Sequence, residues 1–329
     1  MLRHLLCPLI LVTLFLSGCA GSKEQGTPQT TDSPTVTESR GTIGFSALDL
    51  KNPFFKIIAD TLTEAAKEEG FEVVVTDAES DVNNQSKQID NFIAQEVTAI
   101  ILNPANRISI APAIQRANEA GIPVFTCDLQ CEADDIEIIG HIGTDNYSGG
   151  RLAGKAMIEA LGEAGGEALV LHFKQANSCV ERVNGFNDEI KEYNEGKESG
   201  QIKVVSELEG GASQDISLKA TQDALQQHPN LAGIFAINDP SALGAVAALN
   251  QSDKADQIQV IGFDGQLDGK QAIKDGKIYA DPIQFPKKMA TGTVQNIVKY
   301  LDGEEVTTVE LIPTELYRKE DAMKDPELK

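Results

Sequence analysis

The sequence predicts an α/β protein of two similar lobes, each a doubly wound parallel sheet with helices on both faces. Three observations predict it. From Gly41 onward, short apolar runs alternate with helical patterns across short connections. Four of the runs carry no polar alternation and end in Asn or Asp, at Asn103, Asp128, Asn238-Asp239 and Asp264. Such runs are the mark of parallel strands covered on both faces. The alternation then restarts after Gly143-Thr144-Asp145-Asn146, and the run from Ala99 to Pro104 is echoed by the run from Gly233 to Pro240. A chain of 329 residues with 41% hydrophobic content is large enough for two such cores.

The elements follow in order. Thr42 to Ser46 reads as a first strand, and Asn52-Pro53 opens a helix to about Glu69, with Gly70 placed to cap it. Phe71 to Thr76 is a second strand. Ile89, Phe92 and Ile93 at helical spacing mark a helix from Gln85 to Gln95. The strand into Asn103, a helix from Ser109 to Glu119 and the strand into Asp128 complete the first series. The second series reads as a helix from Ser148 to Ala160, a strand from Ala168 to His172 and a helix from Glu181 to Tyr193. A strand from Ile202 to Ser206, a helix from Ile216 to Gln227 and the strands into Asn238-Asp239 and Asp264 follow.

In open α/β sheets ligands bind beyond the carboxyl ends of the strands. Asn and Asp at four strand ends therefore suggest a small polar ligand whose neighbouring hydroxyls they would bond. Asp239 is expected to cap the next helix rather than touch ligand. Other chemistries find little support. Gly149 to Lys155 nearly matches a phosphate loop, but Ala156 stands where a magnesium-binding hydroxyl is needed. Neither a dinucleotide fingerprint after the first strand nor a nucleophile elbow is present. His172 and His228 lack partners at ligand spacing, so neither a metal site nor a cofactor is expected. A net charge of −22 disfavours nucleic acid and anionic membrane surfaces.

The N-terminus reads as a leader. Met1 to His4 is a short basic start, Leu5 to Leu16 is apolar but too short to span a bilayer comfortably, and Leu16-Ser17-Gly18-Cys19 closes it. That quartet resembles the bacterial lipoprotein box, which implies cleavage after residue 18 and lipidation of Cys19. Residues 19–40, rich in Ser, Thr, Pro and Gly, read as a flexible tether. The expected product is an exported domain, lipid-anchored at the cell envelope. Cys127, Cys131 and Cys179 remain, and a disulfide among them is permitted outside the cytoplasm.

From Thr42 to Lys319 the chain resembles the type I periplasmic sugar-binding proteins, nearest to their ribose-binding branch. Seven words carry the resemblance: Asn52-Pro53-Phe54-Phe55, Ile101 to Pro104, Ile122 to Asp128, Gly143 to Asn146, Arg182 to Phe186, Phe235 to Asp239 and Val260 to Gly265. The resemblance implies two lobes joined by a three-segment hinge, residues 41–143 plus 285–313 and residues 144–284 plus 314–329. It implies a monomer that is not an enzyme, closing on a monosaccharide or related polyol and delivering it to the permease of an ABC importer. Ligand contacts carried over by position are Asn52, Phe54, Phe55, Asn103 and Asp128 from the first lobe. The second lobe offers Arg182, Asn238 and Asp264, with Gln284 near the hinge. Two phenyl faces suit the C–H side of a sugar ring, and a guanidinium and two carboxylates suit its hydroxyl rim. The chain departs from the ribose pattern at Leu129, where ribose binders carry Arg, and near Ala212, where they carry an aromatic residue; Phe173 is a candidate to replace that ring. Two other readings share these features. One is a sensory protein presenting a sugar or signal to a membrane receptor or kinase; the other is an exported carbohydrate-acting hydrolase using Asp128 and Asp264.

Overall fold

The computed structural model describes residues 39–329. The expected leader, the expected lipidation at Cys19 and most of the expected tether lie outside the described residues. Arg40, expected at the end of the tether, is held in the fold: its amide donates to the Gly70 carbonyl at 2.9 Å and its guanidinium pairs with Asp302 at 2.6 Å.

Twelve strands form two six-stranded sheets among the described residues. The first holds β1 (Gly41–Ala47), β2 (Phe71–Asp77), β3 (Ala99–Leu102), β4 (Val124–Cys127), β5 (Gly140–Thr144) and β11 (Val309–Ile312), in the order β11-β5-β4-β3-β1-β2. The second holds β6 (Gly166–His172), β7 (Ile202–Glu209), β8 (Leu231–Ala236), β9 (Gln259–Ile261), β10 (Ala280–Ile283) and β12 (Glu315–Arg318), in the order β12-β10-β9-β8-β6-β7. The two orders have the same pattern. Every ladder is parallel except β10 with β12, which is antiparallel. The chain passes between the sheets after β5, after β10 and between β11 and β12.

Helices cover both faces. α1 (Pro53–Glu68) shows why: Phe54, Phe55, Ile58, Ala59, Leu62 and Ala66 recur at helical spacing and are buried. Pro53 fits the first helical position, and the Asn52 side chain accepts the Phe54 amide at 3.0 Å, satisfying an otherwise orphaned donor. α9 (Pro286–Leu301), from beyond the second crossing, packs back onto α1, β4 and β5. α4 (Asn146–Leu161), from beyond the first, packs on β8, β9 and β10. Each sheet is thus covered by helices of its own lobe, while one apolar cluster runs on through both, from Phe45 and Phe125 to Phe186 and Phe263.

Several boundaries differ from the sequence reading. α2 (Val82–Ala94) starts three residues before Gln85, because Asp81 caps it by accepting the Asn83 amide at 2.7 Å. α5 (Asn177–Asn194) starts four residues before Glu181, after Ala176, which offers no capping side chain. α3 (Ala111–Glu119) begins two residues after Ser109. The strands also stop short of their polar ends: β8 finishes at Ala236 and β9 at Ile261. Asn238 rather than Asp239 caps α7 (Asp239–Gln251), accepting the Ser241 amide at 3.0 Å. Asp239 instead accepts the Gln266 amide at 2.6 Å from beneath.

The glycines of the rejected phosphate loop have a packing role. A Cβ on Gly150 would lie 2.0 Å from the Arg182 carbonyl, and one on Gly185 would lie 2.1 Å from the Tyr147 carbonyl. α4 and α5 thus meet backbone to backbone, which only glycine permits.

Candidate functional site

A cavity of about 350 Å³ lies between the carboxyl ends of the two sheets. Its first wall comes from the loop after β1, the first turn of α1 and the end of β4. There Phe54 and Phe55 stand edge to face, ring centres 5.5 Å apart, and belong to the lobe core as well as to the wall. Each ring thus packs in the core on one side and borders the cavity on the other. The second wall comes from the start of α5, the start of α7 and the loop after β9.

Arg182 organises that second wall. It is 4% exposed; its Nε donates to Asn146 Oδ1 at 2.8 Å and its Nη1 to the Ile237 carbonyl at 2.6 Å and Asp264 Oδ1 at 2.8 Å. The guanidinium carbon stands 3.8 Å from the centre of the Phe263 ring, a stacked cation–π contact. Nη2 is left without a hydrogen-bond partner among the described residues, so its two N–H groups remain as donors for a ligand. Gln284, just past β10, is tied to the end of β5: its amide nitrogen donates to Asp264 Oδ1 at 2.5 Å, and its carbonyl accepts the Thr144 hydroxyl at 2.6 Å. Gln266 adds a donor to Asp264 Oδ2 at 3.3 Å.

Two of the cavity carboxylates sit on left-handed backbone, Asp128 at φ +66° and Asp264 at φ +104°, as does Ala212 at φ +49°. Such conformations cost about 1–3 kcal/mol each and persist where the surroundings dictate them, a pattern typical of ligand clamps. Asp128 is fixed by its amide, which donates to the Ile142 carbonyl at 2.8 Å. Its carboxyl has no hydrogen-bond partner among the described residues, and Oδ1 is fully buried. Burial pushes its pKa up to about 7, with Arg182 pulling it down and Asp264 pushing it further up. Burial also raises the Asp264 pKa, against the pull of Arg182, Gln284 and Gln266. Beneath this wall Asp239 and Asp281 form a buried carboxyl pair; burial holds Asp239 well above the ordinary carboxylate range and lifts Asp281 to about 6.

Of the residues singled out in the sequence, Asn52, Phe54, Phe55, Asp128, Arg182, Asn238, Asp264 and Gln284 line this one cavity. Asn103 does not. It is fully buried behind the wall, where its amide donates to the Cys127 carbonyl and holds the ends of β3 and β4 together. Leu129, Phe173 and Ala212 also line the cavity, so the phenyl ring of Phe173 stands in the same space as Ala212. Sequence reasoning missed Asn146 and Phe263 as supports of Arg182, although both lie within the words that carried the resemblance. Cys127, Cys131 and Cys179 are free thiols. Cys127 is buried with its pKa pushed up to about 12, and Cys131 donates to the Arg107 carbonyl at 3.0 Å. Among the described residues no group of side chains could hold a metal ion, and no helix is long and apolar enough to cross a membrane.

Comparison with known proteins gives a consistent family. The ribose import binding protein of Bacillus subtilis is 32% identical over 278 residues, 84% of this chain and 86% of that protein. An ABC transporter periplasmic solute binding protein from Actinobacillus succinogenes, solved with bound D-allose, superposes with a TM-score of 0.79 at 28% identity, covering 86% of this chain and 99% of that one. A solute binding protein from Bacillus halodurans, solved with bound myo-inositol, also gives 0.79, at 26% identity over 88% of this chain and 98% of that one. The family model described as the periplasmic binding protein domain matches residues 43–305, and the chain belongs to that family.

Proposed function

We propose that this protein captures a monosaccharide or related polyol between its lobes and delivers it to an ABC importer. The observation that carries the reading is the convergence in one interlobe cavity of an aromatic wall, Phe54 and Phe55, with a pre-assembled polar wall. Arg182 is already locked onto Asp264, and Gln284 onto Asp264 and Thr144, so a ligand meets donors and acceptors whose ordering cost is largely met. The C–H face of a ring would lie on the phenyl rings while Arg182 Nη2, Asn238 and the two carboxylates take its hydroxyls. A relative named for ribose import and two structures solved with bound D-allose and myo-inositol support the ligand class.

Closure would be a rotation of one lobe, residues 41–143 plus 285–313, against the other about the three crossings, with ligand shifting an open–closed equilibrium. The protein would act as a monomer, held at the envelope by lipid on Cys19. A thermal-shift screen of pentoses, hexoses and polyols tests the reading. At a ligand concentration 100-fold above Kd, bound ligand adds about 2.7 kcal/mol of stability, a shift of several degrees. A screen in which no sugar or polyol raises Tm contradicts it.

A further inference from the structure

The charges lining the cleft do not balance. Three carboxylates, Asp49, Asp128 and Asp264, face one guanidinium, Arg182. Asp264 consumes that guanidinium through the 2.8 Å pair. Asp49 lies at the rim, accepting the Lys51 amide at 2.9 Å and the Ser80 hydroxyl at 3.4 Å, within reach of water. Asp128 is different. It is 4% exposed, carries a buried oxygen with no partner, and has Leu129 beside it where a cation would answer it. Its backbone is pinned in a left-handed conformation, so the carboxylate cannot easily turn away.

A buried carboxylate that meets no partner either takes up a proton, as a pKa raised to about 7 lets Asp128 do, or is paired by what enters the cavity. Above that pH a cationic partner carried by the ligand answers it best. On the reading of the cleft as a sugar site, we infer that the ligand class is an amino sugar or amino polyol, whose protonated amine docks on Asp128 while its hydroxyls engage Arg182, Asn238 and Asp264. The same bookkeeping excludes sugar phosphates and uronic acids: their anion would meet Asp128 with only Arg182 Nη2 left to answer it. The phenyl wall agrees, since an ammonium-bearing carbon is also tolerated beside the aromatic faces of Phe54 and Phe55.

Titration calorimetry of the full chain at pH 7.5 tests this with D-glucosamine, D-galactosamine and 1-amino-1-deoxy-D-sorbitol, each against its neutral parent, and the two hexosamines also against their N-acetyl forms. A charge-assisted hydrogen bond is roughly twice as strong as a neutral one, so at least one amine is expected to bind about tenfold more tightly than its parent. Asp128→Asn, which keeps the shape and removes the charge, should bring the two affinities within about twofold. Leu129→Arg should also erase the preference by supplying the cation from the protein. Neutral sugars binding as tightly as the amines overturn the inference while leaving the sugar site standing. An amine preference that survives Asp128→Asn overturns it too, by placing the ammonium elsewhere. If neither amines nor neutral sugars bind, the sugar reading falls and this inference with it.

Discussion

Replacing Asp264 by Asn isolates the charge that holds the second wall. The side chain is 5% exposed, and its Oδ1 accepts from Arg182 at 2.8 Å and from Gln284 at 2.5 Å. An amide of the same shape can keep both bonds through its oxygen, and Asn tolerates left-handed backbone better than most residues, so φ +104° adds little new strain. What is lost is the countercharge of a guanidinium buried at 4% exposure. Removing one partner of a buried pair costs about 3–5 kcal/mol, and the retained hydrogen bonds place this variant near about 3 kcal/mol. That corresponds to a fall in urea midpoint of about 1 M and in Tm of about 6 °C or more. Ligand affinity should fall about 100-fold, as when one member of a hydrogen-bonded charge pair is removed from an interface. Urea unfolding by circular dichroism and titration calorimetry with the best sugar from the screen supply the two numbers. An unchanged midpoint together with unchanged affinity would refute the reasoning, because the Arg182–Asp264 pair would then neither hold the wall nor meet the ligand.

Gly150→Ala should cost about 1–3 kcal/mol in urea unfolding and weaken sugar binding, since its Cβ would lie 2.0 Å from the Arg182 carbonyl and force α4 from α5; a variant as stable as the parent would refute that close approach. Asn238→Ala removes the cap of α7 and should cost about 1 kcal/mol, and if its affinity for the sugar is unaltered Asn238 is a cap alone. Acidification should stabilise the ligand-free protein. Burial raises the pKa of Asp128 to about 7 and of Asp281 to about 6, so the protons they hold favour the folded state below their ordinary pKa near 3.8. That contribution, about 4 kcal/mol in all for Asp128, is lost progressively as pH rises from about 3.8 to about 7, and about 2 kcal/mol of it lies above pH 5.5. Of the charged groups acting on Asp128, Arg182 opposes the shift and Asp264 adds to it. Tm should therefore rise from pH 8 to pH 5.5, with a smaller rise in Asp128→Asn; a flat or falling profile contradicts the burial argument.

The fold was legible because its signals are local. A buried parallel strand must be apolar throughout, as in Ile100-Ile101-Leu102 and Ile234-Phe235-Ala236, and both prove to be central strands. The cleft residues were legible for the same reason: polar groups just past such strands have one place to go, the carboxyl edge of the sheet. What stayed hidden depends on distant partners. Asn103 looks like Asn238 in sequence, yet one amide is spent on the neighbouring Cys127 carbonyl and the other reaches the cavity. The early start of α5 has no capping residue to announce it, and it is that start which brings Ser178, Cys179 and Arg182 to the cleft on one helix. The carboxyl pair of Asp239 and Asp281 joins residues far apart in the chain, and no pattern of spacing could reveal it. The glycines between Gly149 and Lys155 bring α4 against α5 and against Phe263 beneath Arg182.

The central claim is that a sugar or polyol sits between Phe54 and Phe55 on one side and Arg182 and Asp264 on the other. A crystal structure of the protein with the tightest ligand from the thermal screen tests it most directly. The account predicts a ring stacked on the phenyl pair, with hydroxyl or amine groups within 3.2 Å, roughly, of Arg182 Nη2, Asp128 and Asp264. A ligand bound outside this cavity, or one that touches neither carboxylate, would contradict it.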